Sequence, residues 1–409
     1  MTLTSNRRVD YTFKYNRSYG RHGWLRLTPA YSVKLVETLL INTDQNSIIL
    51  DPFSGTATTA LVSVEKGHEA LAFDINPFLV WLGNLKCKNY SEDQIISIRH
   101  AVNHVLVEFK DYIEEENWKP NIFNIERWWS PQTLKIISAL RSSLVKQLNE
   151  PRESGEYGIV WIAFCRLVIE TSSAAFNHIS MSFSETVTHF EVNQIEKLFL
   201  EIIDCILEST VQSIKGNAKL RNIDARYLEN IQGIKVDRII TSPPYPNRIS
   251  YIRELRPYMY WTKFLNEAKE AGELDWLAIG GTWGIATSRL KDWQINEVNL
   301  LPEAVNTSVE NIRNSSGKNA HILSIYVLKY FYDMHIHLTS LRHLLKDGAE
   351  IHYIVGNSTF FGNGVDTASL LAESMKMLGY KRISSEIIRK RNCKKSLYEY
   401  CISATWENA

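Results

Sequence analysis

Short apolar runs alternate along this chain with longer stretches in which apolar residues recur every three or four positions. The short runs predict buried strands, and the longer stretches predict helices. Strands are expected at 47–50, 70–74, 218–228, 236–241 and 350–358, with a closing pair at 382–389 and 396–406, and helices at 31–40, 322–345 and 367–378. This alternation favours an α/β fold.

Between the second and third predicted strands the chain shows only helical periodicity. Four amphipathic stretches, at 95–112, 133–148, 157–173 and 192–214, are separated by breaks such as 150–155 that contain Pro, Glu, Ser and Gly. Residues 86–215 are therefore interpreted as a helical insertion in the α/β domain. The first 20 residues are polar and basic and are expected to form a flexible tail.

Composition narrows the class of protein only slightly. The 409 residues are 44% hydrophobic and 22% charged, as in an ordinary globular protein, and the net charge of +1 gives no global attraction to nucleic acid. Five scattered cysteines without a Cys-x-x-Cys pair predict reduced thiols and no zinc site. No apolar run approaches the ~18 residues of a membrane span, and no signal peptide is recognisable, so a cytoplasmic protein without membrane association is expected.

The run 236–241 ends abruptly at Pro243 and Pro244, which cannot donate to a sheet ladder. Ser242 and Tyr245 therefore project from the carboxyl end of a strand, where ligands bind in open α/β sheets. The Ser242 hydroxyl and the Pro243 carbonyl can accept hydrogen bonds from an amine, and Tyr245 offers a stacking face. This arrangement suits chemistry on a flat ring that carries an amine.

A second candidate site follows the first predicted strand. Residues 51–60 form a turn of glycine and small side chains and then a helix, which lets a ligand approach the backbone and exposes free N–H groups. Asp74 ends the next strand, where an acidic side chain can accept the hydroxyls of a ribose. The alternative for Asp74 is a simple turn or cap residue.

The two stretches resemble the DNA amino-methyltransferases, which methylate an exocyclic amine of cytosine or adenine. Thr-Ser-Pro-Pro-Tyr (241–245) resembles their catalytic motif, and Asp-Pro-Phe-x-Gly-x-x-Thr-Thr (51–59) resembles their S-adenosylmethionine loop, which here precedes the catalytic motif. Ala57 departs from the family by replacing its second glycine, and its methyl group is expected to narrow the pocket. The resemblance implies a Rossmann-like methyltransferase fold with a doubly wound, mostly parallel sheet, formed by 21–85 and 216–409 around the helical insertion.

The resemblance also implies roles for individual residues. Asp224 would lie near the adenine amine of the cofactor, with a helix cap as its alternative. The catalytic group would be Ser242, Pro243, Pro244 and Tyr245. The S-adenosylmethionine contacts would come from Thr28, Asp51, Pro52, Phe53, Gly55, Thr58, Thr59, Asp74, Asn76 and Asp224.

The activity implied is methylation of the N4 amine of a cytosine flipped out of double-stranded DNA. Cytosine is favoured over adenine because Ser-Pro-Pro-Tyr is usual for cytosine-N4 enzymes. Adenine-N6 methylation, an RNA or protein amine as substrate, and a non-catalytic binding module remain alternatives. A cognate restriction endonuclease is a candidate partner, while the recognition sequence and the oligomeric state are not specified by the sequence.

Contacts to DNA are expected from local features because the net charge is near zero. Arginine forks suit phosphates, although exposed arginines are often only solvated or paired. Residues 262–320 have few regular signals and are a candidate target-recognition segment. Trp128 and Trp129 are either a buried pair or a wedge inserted into DNA. The candidate phosphate contacts are Arg248, Arg253, Arg256, Arg389, Lys390 and Arg391.

Overall fold

The computed structural model describes residues 9–27, 31–175, 182–248, 250–281, 288–295, 300–391 and 397–407. The strands are β1 (Ile48–Asp51), β2 (Glu69–Asp74), β3 (Ala174–Ala175), β4 (Ser182–Phe183), β5 (Asn217–Asn222), β6 (Val236–Thr241), β7 (Leu345–Gly356), β8 (Ser358–Phe360), β9 (Asn363–Val365), β10 (Lys381–Lys390) and β11 (Tyr398–Thr405).

The helices of the described residues surround a central sheet. They are α1 (Phe13–Asn16), α2 (Val33–Leu39), α3 (Thr58–Glu65), α4 (Pro77–Lys86), α5 (Glu92–Glu108), α6 (Pro131–Leu148), α7 (Gly158–Glu170), α8 (Val192–Glu208), α9 (Arg256–Trp261), α10 (Ala268–Leu277), α11 (Glu303–Arg313), α12 (Ala320–Leu341) and α13 (Thr367–Met377). None of these helices is both long enough and apolar enough to cross a membrane.

Seven strands form the central sheet in the order β10-β11-β7-β6-β1-β2-β5. Strands β5, β2, β1, β6 and β7 pair in parallel, and β11 runs antiparallel to both β7 and β10. The prediction of a doubly wound, mostly parallel sheet is therefore confirmed. The chain adds strands in one direction from β1 to β5 and in the other from β6 onward, so the switch point lies between β1 and β6, where such folds bind ligands.

The central strands are apolar on both sides because helices cover both faces of the sheet. In β1, Leu50 pairs with Leu71 of β2 and with Ile239 of β6. Leu50 and Ile239 are fully buried. The polar exceptions stand at the carboxyl ends of the strands, which is where the site is built.

The helical insertion packs into a core that it shares with the α/β domain. Apolar residues of α5 to α8 form one cluster with residues of α4 and with α9, the helix that follows the catalytic motif. Trp129 is fully buried, Trp128 is 8% exposed, and their rings stack at 5.5 Å. The interpretation of this pair as a wedge inserted into DNA is therefore wrong.

Residues 9–20 are folded against the domain, which corrects the expectation of a flexible tail over residues 1–20 for this part of it. The Asn16 amide donates to the Tyr31 carbonyl (2.9 Å) and accepts from the Val33 N–H (3.0 Å). The nearby Arg21 guanidinium is buried and ties this segment to both ends of the helical insertion. It donates to the carbonyls of Lys86 (3.0 Å), Lys88 (2.5 Å), Thr210 (3.0 Å) and Gln212 (3.1 Å).

Candidate active site

Asp51 ends β1 and organises the turn that follows. Its carboxylate accepts from the Phe53 N–H (3.0 Å), from the Thr241 hydroxyl (2.6 Å) and from the Tyr31 hydroxyl (3.2 Å). Burial raises the pKa of Asp51 to about 6, against the opposing effect of these hydrogen bonds. Asp51 thus joins β1, β6 and the N-terminal segment at one point, and it is completely buried.

Three residues predicted to contact the cofactor support the loop from behind. Asp51, Thr58 and Thr59 are buried and do not line the pocket described below. The Thr59 hydroxyl donates to the Ile240 carbonyl (3.0 Å) and also contacts the Tyr31 hydroxyl, while the Thr58 hydroxyl lies 3.0 Å from that of Thr56. These three side chains support the loop, and their direct contact with the cofactor stays a prediction. Thr28 lies outside the described residues.

Ala57 adopts a left-handed backbone conformation with φ of +63° and ψ of +31°. This conformation costs about 1–2 kcal/mol for a residue with a Cβ, which explains why glycine suits the position. The Ala57 methyl group is buried and points toward Gly83 of α4, where an added Cβ would lie only 3.0 Å away. The methyl group therefore packs behind the loop, and the expectation that it narrows the pocket is wrong.

A pocket with an empty volume of about 1010 Å³, including solvent at its mouth, opens at the carboxyl ends of β1, β2 and β6. Eight residues from the predicted sets line it: Pro52, Phe53, Gly55, Asp74, Asn76, Asp224, Ser242 and Pro244. The sequence analysis named no site residue among several others that line the pocket, including Leu27, Tyr31, Tyr251 and Glu254, while 277–279 come from the candidate target-recognition segment. The loop after β1 and the turn after β6 therefore share one crevice.

Asp74 lies at the end of β2 on the pocket wall. One carboxylate oxygen accepts from the Gly55 N–H and the other from the Asn76 N–H, both at 2.8 Å. Burial, assisted by the nearby Asp51, raises the pKa of Asp74 to about 7, although these two hydrogen bonds favour the charged form. Each oxygen keeps a further lone pair, so the side chain can accept the two hydroxyls of a ribose.

Asn76 is nearly fully buried, and its side chain caps α4 by accepting from the Phe78 N–H (3.0 Å). Asn76 was predicted to contact the cofactor, and its side-chain oxygen is thus already bound to the first turn of the helix. The apolar side chains of Ile75, Leu79 and Ile223 line the same part of the pocket. Such a surface suits a flat aromatic ring.

Asp224 lines the pocket while its carboxylate is held by Arg226. The Arg226 guanidinium donates to both Asp224 oxygens, at 3.0 Å and 2.6 Å, and also to the Leu277 carbonyl (2.8 Å) and Asp333 (3.3 Å). The helix-cap alternative for Asp224 is wrong, because the short helical turn nearby begins after Tyr227, which provides no side-chain cap. Arg226 fixes Asp224 relative to the end of α10.

His337 supports two residues that line the pocket, and the sequence analysis did not predict it as a site residue. Its Nδ1 lies 2.7 Å from the Ala225 carbonyl, which can only accept, so Nδ1 carries the proton and Nε2 accepts from the Tyr353 hydroxyl (2.5 Å). Burial lowers the pKa of His337 to about 4. The neutral ring packs edge-on against Phe53 at 4.7 Å and fixes this lining residue.

The catalytic turn begins where β6 ends. Ser242 lies on the pocket wall, and its hydroxyl donates to the Ile354 carbonyl of β7 at 3.1 Å. Pro243 is buried, and Pro244 lines the pocket. The turn is therefore anchored to the neighbouring parallel strand with the serine oxygen at the crevice.

Tyr245 is turned away from the pocket lining. Its hydroxyl lies 2.9 Å from the Glu399 carboxylate, and its ring lies 5.0 Å from the guanidinium of Arg391. Gly356 makes room for the ring, because a Cβ there would lie 2.8 Å from Tyr245 Cε2. Tyr251 does line the pocket, and its hydroxyl accepts from the Tyr245 N–H (2.9 Å).

The predicted phosphate contacts fall into two groups. Arg389 donates to Glu399 (2.7 Å), and Arg391 donates to the Asn357 carbonyl (3.0 Å), so both guanidiniums are engaged within the protein. Both side chains support the catalytic turn, and their contact with DNA stays a prediction. Arg248 is exposed, whereas Arg253, Arg256 and Lys390 are partly exposed.

The strand order and the switch-point crevice define a Rossmann-like methyltransferase fold. Over 95% of its length the chain is 23% identical to the Type II methyltransferase M.BsoBI of Geobacillus stearothermophilus, of which it covers 84%. Over 90% of its length it is 20% identical to the Type II methyltransferase M.AvaI of Nostoc sp. PCC 7120, of which it covers 81%. No family model matches the chain.

Two solved structures also resemble the chain at 10% identity. One is TrmN from Thermus thermophilus, with a TM-score of 0.29 over 97% of this chain and 52% of that one. The other is the rRNA methyltransferase aviRa from Streptomyces viridochromogenes, with a TM-score of 0.28 over 92% and 86%. At these scores the assignment of the fold rests on the strand order alone.

The fold and the similarity to methyltransferases over nearly the whole chain support a methyltransferase with S-adenosylmethionine as its methyl donor. The crevice fits that cofactor. Asp74 offers acceptor oxygens for ribose hydroxyls, Gly55 leaves the backbone of the loop open, and apolar side chains line the region beside Asn76. Within the described residues, no group of three or more His, Cys, Asp or Glu could hold a metal ion.

Proposed function

We propose that this protein methylates the N4 amine of a cytosine flipped out of double-stranded DNA. The observation that carries the proposal is the position of Ser242 in the same crevice as the loop after β1 and Asp74. An amine acceptor and a cofactor site at one switch point are the two requirements for direct transfer. Similarity to proteins named Type II methyltransferases supports DNA as the substrate, and a restriction endonuclease stays a proposed partner.

The cofactor would be held by residues of the first half of the crevice. Asp74 would accept the ribose hydroxyls, the backbone at Pro52–Gly55 would contact the rest of the molecule, and the apolar side chains beside Asn76 would enclose the adenine. Bound S-adenosylmethionine supplies an electrophilic methyl group on its sulfonium. Tyr31, next to Asp51, closes the crevice from the N-terminal side.

The amine would be held by the turn after β6. An exocyclic amine is a poor nucleophile because its lone pair is delocalised into the ring. Hydrogen bonds from both of its N–H groups to the Ser242 oxygen and the Pro243 carbonyl would bend the nitrogen toward tetrahedral geometry and localise that lone pair. Because the Ser242 proton is donated to Ile354, the serine oxygen has lone pairs for the amine.

A base in a stacked duplex cannot reach this turn, so the cytosine must leave the helix. Aromatic rings stack on such bases with about 1–3 kcal/mol each. Tyr245 of the motif is the predicted stacking residue. Tyr251 lines the pocket, as Ser242 does, and is a second candidate. The exposed Arg248, together with Arg253, Arg256 and Lys390, remains the proposed phosphate contact, and segment 262–320 the proposed reader of the recognition sequence.

The choice of cytosine rests on serine at position 242. Serine is uncharged and leaves less negative potential at the amine than the aspartate that is usual for adenine-N6 enzymes. The non-catalytic alternative has lost its only support, because the Ala57 methyl group points away from the pocket toward Gly83. Adenine-N6 methylation and an RNA or protein amine are the outcomes that the test must separate.

The test is methyl transfer from labelled S-adenosylmethionine to separate pools of DNA, RNA and protein, followed by digestion to nucleosides and mass detection. N4-methyldeoxycytidine is the expected product, and Ser242→Ala should abolish it. Ser143→Ala is the matched control, since Ser143 is a buried serine in the helical insertion whose hydroxyl donates to a backbone carbonyl at 3.0 Å. N6-methyldeoxyadenosine as the sole product would refute cytosine, and label in RNA or protein alone would refute DNA.

A further inference from the structure

A buried carboxylate outside both predicted motifs contacts the catalytic turn. Glu399 is the second residue of β11 and pairs across the sheet with Gly356 at the end of β7. The residue is only 5% exposed. Its partners are the Tyr245 hydroxyl and the Arg389 guanidinium, which donates through Nε (2.7 Å) and Nη2 (3.3 Å).

The hydrogen bond between Tyr245 and Glu399 can run in only one direction. A carboxylate paired with a guanidinium has no proton to donate, so the Tyr245 hydroxyl must donate to Glu399. Burial, with the charge of Glu399 as the next cause, raises the pKa of Tyr245 well above its usual range, so the phenol keeps that proton.

The arrangement determines what Ser242 can do. Its oxygen lies 3.3 Å from the Tyr245 oxygen and 3.1 Å from the Ile354 carbonyl oxygen. Because the phenol proton is committed to Glu399, Tyr245 does not donate to Ser242. Because a carbonyl cannot donate either, Ser242 donates its own proton, either to the Ile354 carbonyl or to the Tyr245 oxygen. Both serine lone pairs then remain free.

We infer that the Glu399–Arg389 ion pair acts on catalysis through Tyr245, by keeping the Ser242 oxygen a hydrogen-bond acceptor for the target amine. The inference rests on the proposed amine methylation and adds two positioning residues to it. Neither residue lines the pocket. Their removal should therefore change the rate of transfer and leave the affinity for S-adenosylmethionine unchanged.

Glu399→Gln tests the inference with little change of shape. Arg389 would donate to the oxygen of the new amide. The amide NH₂ group would then face Tyr245 and donate to its oxygen. The phenol proton would turn toward Ser242 and occupy one of its two lone pairs, which makes the serine oxygen a weaker and less freely oriented acceptor for the amine. Weakening of this hydrogen bond should slow single-turnover methyl transfer by up to about tenfold.

Tyr245→Phe supplies the decisive combination, because it removes the phenol and keeps the ring. Without a phenol proton to redirect, Glu399→Gln should have no further effect. The double variant should therefore transfer methyl groups at the rate of Tyr245→Phe alone, which should exceed that of Glu399→Gln. A merely structural role for Glu399 would instead give losses that multiply.

A matched ion pair away from the pocket provides the control. Arg141 donates to Glu150 at 2.7 Å, with side chains 4% and 27% exposed. Glu150→Gln should lower the thermal unfolding temperature but leave the transfer rate unchanged in the wild-type and Tyr245→Phe backgrounds. If Glu399→Gln does not fold, Arg389→Met with Glu399→Met replaces it, because apolar replacement of both partners of a buried pair is often neutral for stability. The same slow transfer and the same rescue by Tyr245→Phe are expected.

The outcomes separate this inference from the proposed function. Wild-type protein that binds S-adenosylmethionine but methylates no pool overturns the proposed function, and this inference with it. Active wild-type protein with Glu399→Gln at an equal rate overturns the inference alone. Independent, multiplying effects of Glu399→Gln and Tyr245→Phe also overturn it.

Discussion

The two halves of the crevice are built in different ways. The part of the cofactor half around Asp74 is local, since the Asp74 oxygens bind the N–H groups of Gly55 and Asn76, all within 22 residues of one another. The half that would hold the amine is assembled from distant segments, since Tyr245 bonds to Glu399 across 154 positions and Ser242 to Ile354 across 112. A local site tolerates changes elsewhere in the fold, whereas the catalytic turn depends on the alignment of β7 with β11.

The largest expected effect comes from Gly356, which belongs to the distant half. A Cβ added at position 356 would lie 2.8 Å from the Tyr245 ring and 2.4 Å from Arg391. Gly356→Val would add this atom and two further methyl groups. The ring must move, and we expect methyl transfer to fall roughly a hundredfold, or ~2.7 kcal/mol of barrier. Calorimetry should show unchanged affinity for S-adenosylmethionine.

Gly364→Val in β9 is the control for Gly356→Val, because nothing lies within 4 Å of a Cβ added there. Equal losses in both variants would mean that the Tyr245 ring is not the cause. A large loss of cofactor affinity in Gly356→Val would show that the two halves of the crevice are not separable.

The second prediction changes the local half. Asp74→Asn should weaken S-adenosylmethionine binding by ~1.5–3 kcal/mol, because a charge-assisted hydrogen bond to the ribose is lost. Asp237→Asn is the control, since Asp237 lies near the opposite end of the sheet and also accepts from a backbone N–H, that of Ile48 (2.8 Å). Unchanged affinity of Asp74→Asn in calorimetry would remove Asp74 from the cofactor site.

The third prediction concerns pH in the absence of cofactor. The pKa of Asp74 is about 7 in the folded protein and near 3.8 when unfolded, so the folded state binds more protons between these values. The contribution of Asp74 to stability therefore falls as pH rises from about 4 to 7. Denaturant unfolding should give the free energies of unfolding of both proteins at pH 5 and pH 8. The value for Asp74→Asn minus that for the wild type should be higher at pH 8 than at pH 5. A difference between the two proteins that does not vary with pH would contradict this.

The smallest expected effect is that of Ala57→Gly. Relief of the left-handed alanine gains about 1–2 kcal/mol, and the lost methyl burial against Gly83 costs roughly 0.8 kcal/mol. The variant should be more stable by less than about 1 kcal/mol, measured by denaturant unfolding, and its cofactor affinity should not change. Tighter binding would mean that the methyl group does reach the pocket.

The sequence was informative where chemistry follows a strand directly. Asp51, Asp74 and Ser242 each stand at or just after a strand end, and parallel strands bring such ends to one edge of the sheet. Sequence alone could not distinguish Asp51, which faces inward to bind Thr241, from Asp74, which lines the pocket. That difference depends on how β1, β2 and β6 pack.

Residues that depend on sheet register were beyond sequence reasoning. Glu399 and Arg389 look like ordinary surface charges of a terminal hairpin, and only the pairing of Glu399 with Gly356 brings them to Tyr245. Nothing in the sequence pointed to His337 as part of the site, although it supports Phe53. The buried pair Trp128 and Trp129 shows the opposite case, in which the ordinary expectation for tryptophan was correct.

The hydrogen bonds from Arg21 to both ends of the helical insertion affect how the chain folds during synthesis on the ribosome. Arg21 is made early, but one of its partners, the Gln212 carbonyl, lies 191 positions later. The N-terminal segment therefore cannot dock fully until the whole helical insertion has emerged and its two ends have come together. During translation the segment around Arg21 therefore waits for residues made much later, and the insertion must reach its native shape before that segment can close over it.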